Sequence, residues 1–230
     1  MKDVSTGVTR EEAYDVLVLA PGAAPIRPKS IKGADRPEVY TIRNVVDIIR
    51  LKEGVASGKI RDVAVIGGGL IGIQTAENLR KLGKQVTVIE AMDQILAPLD
   101  YDFVQMVQKE MMDHGVQVIV GDGVKEIDGS QVLLASGKAV PAQAVVLAIG
   151  VAPETGLARQ AGLEIGETGG IKVDHNYRTS DENIYAVGDA IEVFQQLTQK
   201  PGRLALAGPA LRQAGRLRIP STDGPAPIRA

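Results

Sequence analysis

Cysteine is absent from the 230-residue sequence, and histidine occurs only twice. Without cysteine, the chain forms no disulfide and no thiolate metal site, and it carries no cysteine nucleophile of its own. The two histidines, His114 at a predicted helix end and His175 in a polar segment, do not lie near a plausible carboxylate cluster. We therefore expect no metal site and two solvent-exposed histidines.

Aromatic residues, surplus positive charge and long apolar runs are also scarce. Aromatics make up 3% of the chain, so its core must consist of Val, Ile, Leu and Ala, which is typical of sheets covered by helices. The net charge of −2 leaves no basic surplus for a nucleic-acid partner. No stretch approaches the roughly 18–20 apolar residues of a membrane span, and the start does not resemble a signal peptide. We expect a cytoplasmic protein without a membrane partner.

Glycine is abundant, with 26 residues, and its densest cluster follows a buried-strand pattern. Residues 62–66 form a run rich in β-branched residues that ends at three consecutive glycines. Gly83 predicts the end of the helix that follows, and residues 85–90 form a second strand pattern. The apolar positions of that helix have helical spacing: Leu70, Ile73, Ala76, Leu79 and Leu82. The segment therefore predicts a strand, a helix and a second strand.

The rest of the chain predicts a mixed α/β fold. We expect a hairpin over residues 2–19, no regular structure over the proline-rich residues 21–29, and a loose helix over residues 41–53. The later elements are a helix at 103–114, short strands at 116–120, 124–127 and 132–134 that form an antiparallel meander, a buried strand at 144–150, a loop and helix at 153–161, and strands near 171–173 and 184–189.

The glycine cluster has the G-x-G-x-x-G spacing at Gly67, Gly69 and Gly72. In a loop between strand and helix, the first glycine permits a tight turn and the second lets the backbone approach a diphosphate. The third glycine lets the helix pack close to the strand. The free N–H groups at the helix start then hold the anion.

Glu90 ends the second strand, 18 residues after Gly72. A carboxylate there accepts hydrogen bonds from the adenosine ribose and repels a 2′-phosphate, by up to about 4 kcal/mol before solvent reduces it. These residues therefore favour NADH over NADPH. The alternative interpretation is an ordinary glycine-rich turn with a surface glutamate at a strand end.

Two other nucleotide-binding classes fit less well. A short-chain dehydrogenase would need a tyrosine with a lysine four residues later, and none of the five tyrosines has one. A nucleotide-binding methyltransferase also uses an acid after the second strand, but the LAIG and YAVGD segments have no place in it.

Four segments together resemble the FAD-dependent pyridine nucleotide-disulfide oxidoreductases: YDVLVLAPGAAP, VAVIGGGLIGIQTAENLRKLGKQVTVIE, LAIGVAPET and TSDENIYAVGDAIEV. LAGPALRQAGR is similar to the LAGPANRQGR of the coenzyme A-disulfide reductase and NADH oxidase branch. The resemblance implies a Rossmann-like NAD-binding domain, a parallel sheet with an antiparallel meander, inserted into an FAD-binding domain.

The same resemblance implies domain boundaries. Residues 1–54 and 151–219 would be parts of the FAD-binding domain, residues 55–150 the NAD(H)-binding domain, and residues 220–230 a loose tail. Relatives carry a first glycine loop and a redox-active cysteine upstream and a dimerisation domain downstream, so the chain resembles a fragment of a homodimeric enzyme.

The resemblance also assigns roles to individual residues. Those that match NAD-binding positions are Gly67, Gly69, Leu70, Ile71, Gly72 and Glu90, while Gly150 matches the glycine beside the nicotinamide half of the cofactor. Asp189 matches the acid that binds the flavin ribityl chain, and Ala207 matches a position near the flavin. Gln74 stands beside the flavin–nicotinamide contact, where relatives usually carry Glu.

Two further departures from the family pattern are Glu154, where Asn is usual, and Ala214, which lengthens the LRQ–GR segment. The function implied is that of an oxidoreductase that passes hydride from NADH to FAD and on to a disulfide such as coenzyme A disulfide, to oxygen or to peroxide. The fragment alone would be inactive. The alternative is a stand-alone, non-catalytic NADH-binding module.

Overall fold

The computed structural model describes residues 1–217, so the tail predicted for residues 220–230 lies outside the described residues. Its strands, in chain order, are β1 (Leu17–Leu19), β2 (Ala23–Pro25), β3 (Val39–Thr41), β4 (Asp62–Ile66), β5 (Gln85–Ile89), β6 (Val116–Ile119), β7 (Val124–Ile127), β8 (Gln131–Leu134), β9 (Ala139–Pro141), β10 (Ala144–Leu147), β11 (Val151–Pro153), β12 (Ile171–Lys172), β13 (Ile184–Ala186), β14 (Ile191–Gln195) and β15 (Lys200–Gly202). Its helices are α1 (Val45–Ala56), α2 (Leu70–Lys81), α3 (Tyr101–Asp113), α4 (Gly156–Gln160) and α5 (Ala207–Arg216), with a 3₁₀ turn at Gly188–Ala190. No helix within residues 1–217 has the length and apolar character needed to cross a membrane.

The chain folds into two compact units. Of the described residues, one unit comprises Pro25–Val151, and the other combines Met1–Ala24 with residues 152–217. The boundary expected from the sequence, after residue 54, differs from this division. Residues 25–54 group with residues 55–151 because β3 pairs with β10 and the α1 side chains of Leu51 and Val55 pack into the same core as that sheet.

The larger unit is built on a five-stranded sheet in the order β3-β10-β4-β5-β6, and all its strands are parallel. This confirms the parallel sheet expected from the sequence. Successive side chains of β4 point to opposite faces: Val63 and Val65 join the core under α1 and α2, whereas Ala64 and Ile66 join the core under the meander. Because both faces are covered, the strand is apolar at every position from Val63 on.

The antiparallel meander consists of β7, β8 and β9. The prediction that residues 116–120 belong to it was wrong, because β6 pairs in parallel with β5 at the edge of the main sheet. A short apolar strand carries no mark of its partner in its own sequence, and the third meander strand, β9, was not predicted.

The smaller unit has a two-stranded parallel sheet of β1 and β13 and a three-stranded sheet in the order β12-β14-β15. The hairpin predicted for residues 2–19 is limited to a bridge between Lys2 and Thr9. The longer strand, β1, does not return to the first one, because its hydrogen bonds go to β13.

The chain segments at the boundary between the units are also ordered. Residues 21–29 were expected to be irregular, yet β2 pairs with β11 despite the surrounding prolines. Two-stranded pairing of this kind leaves an outer edge on which proline is tolerated. Within the larger unit, the N–H of Ile26 donates to the Gly150 carbonyl at 3.1 Å, so the entry and exit of this unit are adjacent.

The helix ends near the sheet are capped by specific groups. Asn44 accepts a hydrogen bond from the Asp47 N–H and begins α1, later than the residue 41 start that the periodicity predicted. The Nζ of Lys84, directly after α2, donates to the carbonyls of Val55 and Ile60 at 3.1 and 2.7 Å. One ammonium group therefore holds the end of α1 and the chain that leads into β4.

We expect Lys84→Met to lower the free energy of unfolding by about 1.5–3 kcal/mol, because two part-buried carbonyls lose a charged donor. Lys81→Met is the matched control, since Lys81 makes only an exposed ion pair with Glu77 and should cost less than about 1 kcal/mol. Urea denaturation of both variants gives the comparison, and equal losses would contradict the role assigned to Lys84.

Candidate functional site

A tight turn of glycines joins β4 to α2 at the carboxyl edge of the parallel sheet. Gly67 has φ +109°, a conformation that L side chains rarely adopt, and its N–H donates to the Ile89 carbonyl at 2.8 Å. A Cβ on Gly72 would lie 2.0 Å from the Gly67 carbonyl oxygen, so any larger residue would require α2 or the turn to shift. The structure thus gives Gly67 and Gly72 the geometric roles that the spacing predicted.

The first turn of α2 presents free backbone donors. Within residues 1–217, the N–H groups of Gly69, Leu70 and Ile71 have no hydrogen-bond acceptor in the protein. A Cβ on Gly69 would meet no atom within 4 Å, so the space beside this backbone is open. Three donors at the positive end of a 12-residue helix form a site for an anion such as a diphosphate.

Glu90 lies at the end of β5, and its carboxylate is held by two backbone groups. Its Oε2 accepts from the Gly68 N–H at 2.7 Å, and its Oε1 accepts from the Met92 N–H at 2.9 Å. The carboxylate is therefore tied to the glycine turn itself, at the edge where α2 begins. The sequence pattern indicates Glu90 but not Gly68 or Met92, which hold its carboxylate through backbone N–H groups that no side-chain pattern reveals.

Gln74 and Gly150 belong to the same unit as this turn. Gln74 is exposed on α2 one turn after Leu70, and both line a mostly apolar groove of about 570 Å³ between α1 and α2. Gly150 follows β10, two residues after Ala148, whose carbonyl oxygen would lie 2.4 Å from a Cβ on Gly67. The end of β10 is therefore in contact with the glycine turn.

Leu70 and Leu82, at the two ends of α2, were expected to belong to the apolar face of this helix, but both are exposed. Leu70 is 69% exposed and Leu82 is 61% exposed, while the buried positions of α2 are Gly72, Ala76 and Leu79. An exposed Leu70 and a 43% exposed Ile71 place apolar side chains beside the free N–H groups.

Asp189 and Ala207 lie in the smaller unit. Asp189 is in the 3₁₀ turn after β13, and Ala207 is the exposed first residue of α5. The buried Gln213 of α5 accepts a hydrogen bond from the Gly188 N–H at 2.7 Å, which ties the helix to the turn that carries Asp189. Sequence reasoning missed Gln213, a polar residue whose burial the helical pattern did not indicate.

The remaining candidates for chemistry are on the surface. Both histidines are exposed, as expected. Within the part of the chain that the structure describes, no three His, Asp or Glu side chains come together as metal ligands would.

A parallel sheet, a glycine turn, a helix start with free N–H groups and an acid at the end of the next strand define a dinucleotide-binding α/β protein. Comparison with known proteins extends this class to a family. The pyridine nucleotide-disulphide oxidoreductase family matches residues 1–214, and the chain belongs to it.

Individual relatives agree with this family. An NADH oxidase of Methanocaldococcus jannaschii is 35% identical over 207 residues, which are 88% of this chain and 46% of that protein. A CoA-dependent NAD(P)H sulfur oxidoreductase of Pyrococcus abyssi is 34% identical over 220 residues, or 90% of this chain and 49% of that protein. The chain thus spans about half the length of the curated relatives it matches.

Solved structures share the fold. The crystal structure of reduced Bacillus anthracis CoADR-RHD has a TM-score of 0.91 and 44% identity, covering 94% of this chain and 39% of that one. The water-forming NADH oxidase from Lactobacillus brevis, bound to NADH, has a TM-score of 0.85 and 30% identity over 92% of this chain and 47% of its own. An engineered NADPH oxidase derived from it, bound to NADPH, also has a TM-score of 0.85, with 28% identity over 94% of this chain and 48% of its own.

Gly69 and Gly72 allow a test that separates binding from folding. We expect Gly69→Val to abolish NADH binding, because its side chain would fill the space that a diphosphate needs, while the unfolding free energy falls by only about 1 kcal/mol. Gly72→Val is the contrasting variant, since its side chain meets the Gly67 carbonyl and should destabilise the fold by about 1–3 kcal/mol or more. NADH fluorescence titration and thermal unfolding measure the two effects, and near-normal NADH affinity in Gly69→Val would contradict the assignment.

Proposed function

We propose that this chain is the NADH-binding portion of a flavoprotein oxidoreductase that passes hydride from NADH to FAD and on to a disulfide, oxygen or peroxide. The observation that carries the proposal is the pairing of free N–H groups at Gly69, Leu70 and Ile71 with the fixed carboxylate of Glu90. The first group suits a diphosphate and the second a ribose with free hydroxyls. Relatives named NADH oxidase and NAD(P)H sulfur oxidoreductase support the reaction class.

The proposed orientation of NADH follows from the free donors and the open space. The diphosphate would lie over Gly69, where no side chain intrudes, and the adenosine ribose would lie toward Glu90. The nicotinamide half would then extend toward Gly150 and Gln74, with the exposed Leu70 and Ile71 offering apolar surface to the ring. Gln74 is neutral where relatives usually carry Glu, so it can offer hydrogen bonds there without adding a charge.

The smaller unit fits one part of FAD. Within residues 1–217 the Asp189 carboxylate accepts no hydrogen bond, and the start of α5 at Ala207 is exposed. Asp189 would hold the ribityl hydroxyls, and Ala207 would lie near the flavin ring. When bound, FAD supplies the capacity to accept a hydride and to release electrons to an acceptor.

The preference for NADH over NADPH has support in the engineered relative. That oxidase differs from its parent at five positions. An aspartate and the Ala and Met that follow it became Ala, Arg and Ser, a glycine 18 residues before the aspartate became Ala, and a proline seven residues after it became Arg. Here Glu90, Ala91 and Met92 form the one acid-Ala-Met triplet of the sequence, and Gly72 precedes the acid by 18 residues. We propose that this triplet selects NADH.

We expect NADH to bind this chain more tightly than NADPH, and Glu90→Arg to narrow or reverse the ratio by about tenfold or more. The change removes repulsion of a 2′-phosphate and adds attraction to it. Asp102→Arg is the matched control, since it also replaces an acid by arginine, at an exposed position of α3 outside the proposed site, and should leave the ratio largely unchanged. Fluorescence titration with both cofactors measures the ratio, and an unchanged ratio in Glu90→Arg would refute the ribose role.

A stand-alone NADH-binding module is the second candidate, because every residue of the proposed NADH site lies in the self-contained unit Pro25–Val151. The chain mixed with FAD and NADH under anaerobic conditions separates the two functions. Bleaching of bound flavin by NADH would support the oxidoreductase and would show that FAD binds to this chain. Binding of NADH without any retained flavin is expected both of an inactive fragment and of the module, so reduction of bound flavin is the result that decides between them.

A further inference from the structure

Gly68, the middle glycine of the turn, is contacted on three sides. Its N–H donates to Glu90 Oε2 at 2.7 Å, and its carbonyl accepts from the Leu96 N–H at 2.8 Å. A Cβ on Gly68 would lie 2.6 Å from Cγ2 of Ile95, so this side chain covers the Gly68 backbone directly. Gly68 is therefore hydrogen-bonded both to the Glu90 carboxylate and to the segment of residues 91–99.

The 91–99 segment is itself held rigidly. Ile95 is fully buried and belongs to the cluster that packs with Ile73 of α2 and Val107 of α3. Leu96 has φ +48°, a left-handed conformation that costs energy for a leucine and persists only where its surroundings impose it. The Met92 carbonyl accepts from the Gly121 N–H at 2.8 Å, which ties the start of the segment to the end of β6.

We propose that Ile95 is a positioning residue for cofactor discrimination: it fixes Gly68, and Gly68 fixes the Glu90 carboxylate. Both donors to that carboxylate depend on the 91–99 segment, because Met92 belongs to the segment and Gly68 is covered by it. This inference rests on the proposed binding of NADH at the glycine turn.

The ratio of NADH to NADPH affinity reports this role specifically. The two cofactors share the diphosphate and differ only at the adenosine ribose, where the proposed contact is Glu90. General damage to the fold lowers both affinities together. A displaced Gly68 frees the carboxylate from one of its two donors and therefore changes the ratio.

The test is a double-mutant cycle on the full 230-residue chain, read by titration with NADH and with NADPH. We expect Ile95→Ala alone to lower the preference for NADH by about twofold or more, because Gly68 loses the side chain that covers it. We expect Gly68→Ala to lower the preference by about threefold or more, because its methyl group collides with Ile95. Adding Ile95→Ala to Gly68→Ala removes the Cγ2 atom at 2.6 Å and leaves the Cβ at 3.0 Å, so the double variant should recover part of the preference that Gly68→Ala loses. Adding Ile95→Val, which keeps the colliding atom, should not.

Ile127→Ala is the control, since it deletes the same atoms from a side chain that is also buried in this unit but does not touch Gly68. It should leave the ratio unchanged. An unchanged ratio in Gly68→Ala would overturn the proposal, whether or not the double variant folds. So would a double variant no better than Gly68→Ala alone.

The NADH and NADPH affinities of the wild-type chain distinguish failure of the proposed function from failure of the role proposed for Ile95. If it does not bind NADH, or prefers NADPH, the proposed function fails. If it prefers NADH and Gly68→Ala keeps that preference, only the role of Ile95 fails.

Discussion

The contact between the start of α2 and the end of β4 is the constraint on which the candidate site depends. The Gly67 carbonyl leaves no room for a side chain on Gly72, so the helix begins directly at the edge of the sheet. Its first N–H groups then open into the space beyond the strands, where ligands of parallel sheets bind. A larger residue at 72 would move α2 outward and displace those donors.

Backbone groups perform most of the recognition at this site. The donors proposed for the diphosphate are peptide N–H groups, and the carboxylate of Glu90, the one charged residue of the proposed site, is held by peptide N–H groups as well. Such a site needs few functional side chains, and it needs glycine at the positions where a side chain would cover the backbone N–H groups. This agrees with a chain that is rich in glycine.

Elements with a strong local pattern could be predicted from the sequence. The apolar run of β4, the glycines after it and the helical spacing of α2 each predict one type of local structure. The role of the acid at residue 90 was predicted from its place at the end of the next strand. Partner choice could not be predicted: β6 has a pattern that suits either a meander or a parallel edge, and only packing with β5 decides. The pairing of β3 with β10 could not be predicted either, because the two strands are about a hundred residues apart in the sequence.

Contacts made by main-chain atoms escaped prediction for a related reason. Gly68 has no side chain that could indicate its three contacts in the sequence. Ile95 cannot be distinguished in the sequence from any other buried isoleucine. Met92 acts through its N–H, which every residue except proline possesses. These roles are visible only once the 91–99 segment is placed against the turn.

The hydrogen bond between Ile26 and Gly150 has a consequence for how such a unit is acquired and moved. A unit whose two ends lie close together can be inserted into a loop of another protein without distorting that loop, because the two insertion points need to be only a short distance apart. The chain entropy lost on closing so short a gap is small. The two ends of residues 25–151 therefore lie close enough together for this unit to be inserted between two adjacent residues of another fold.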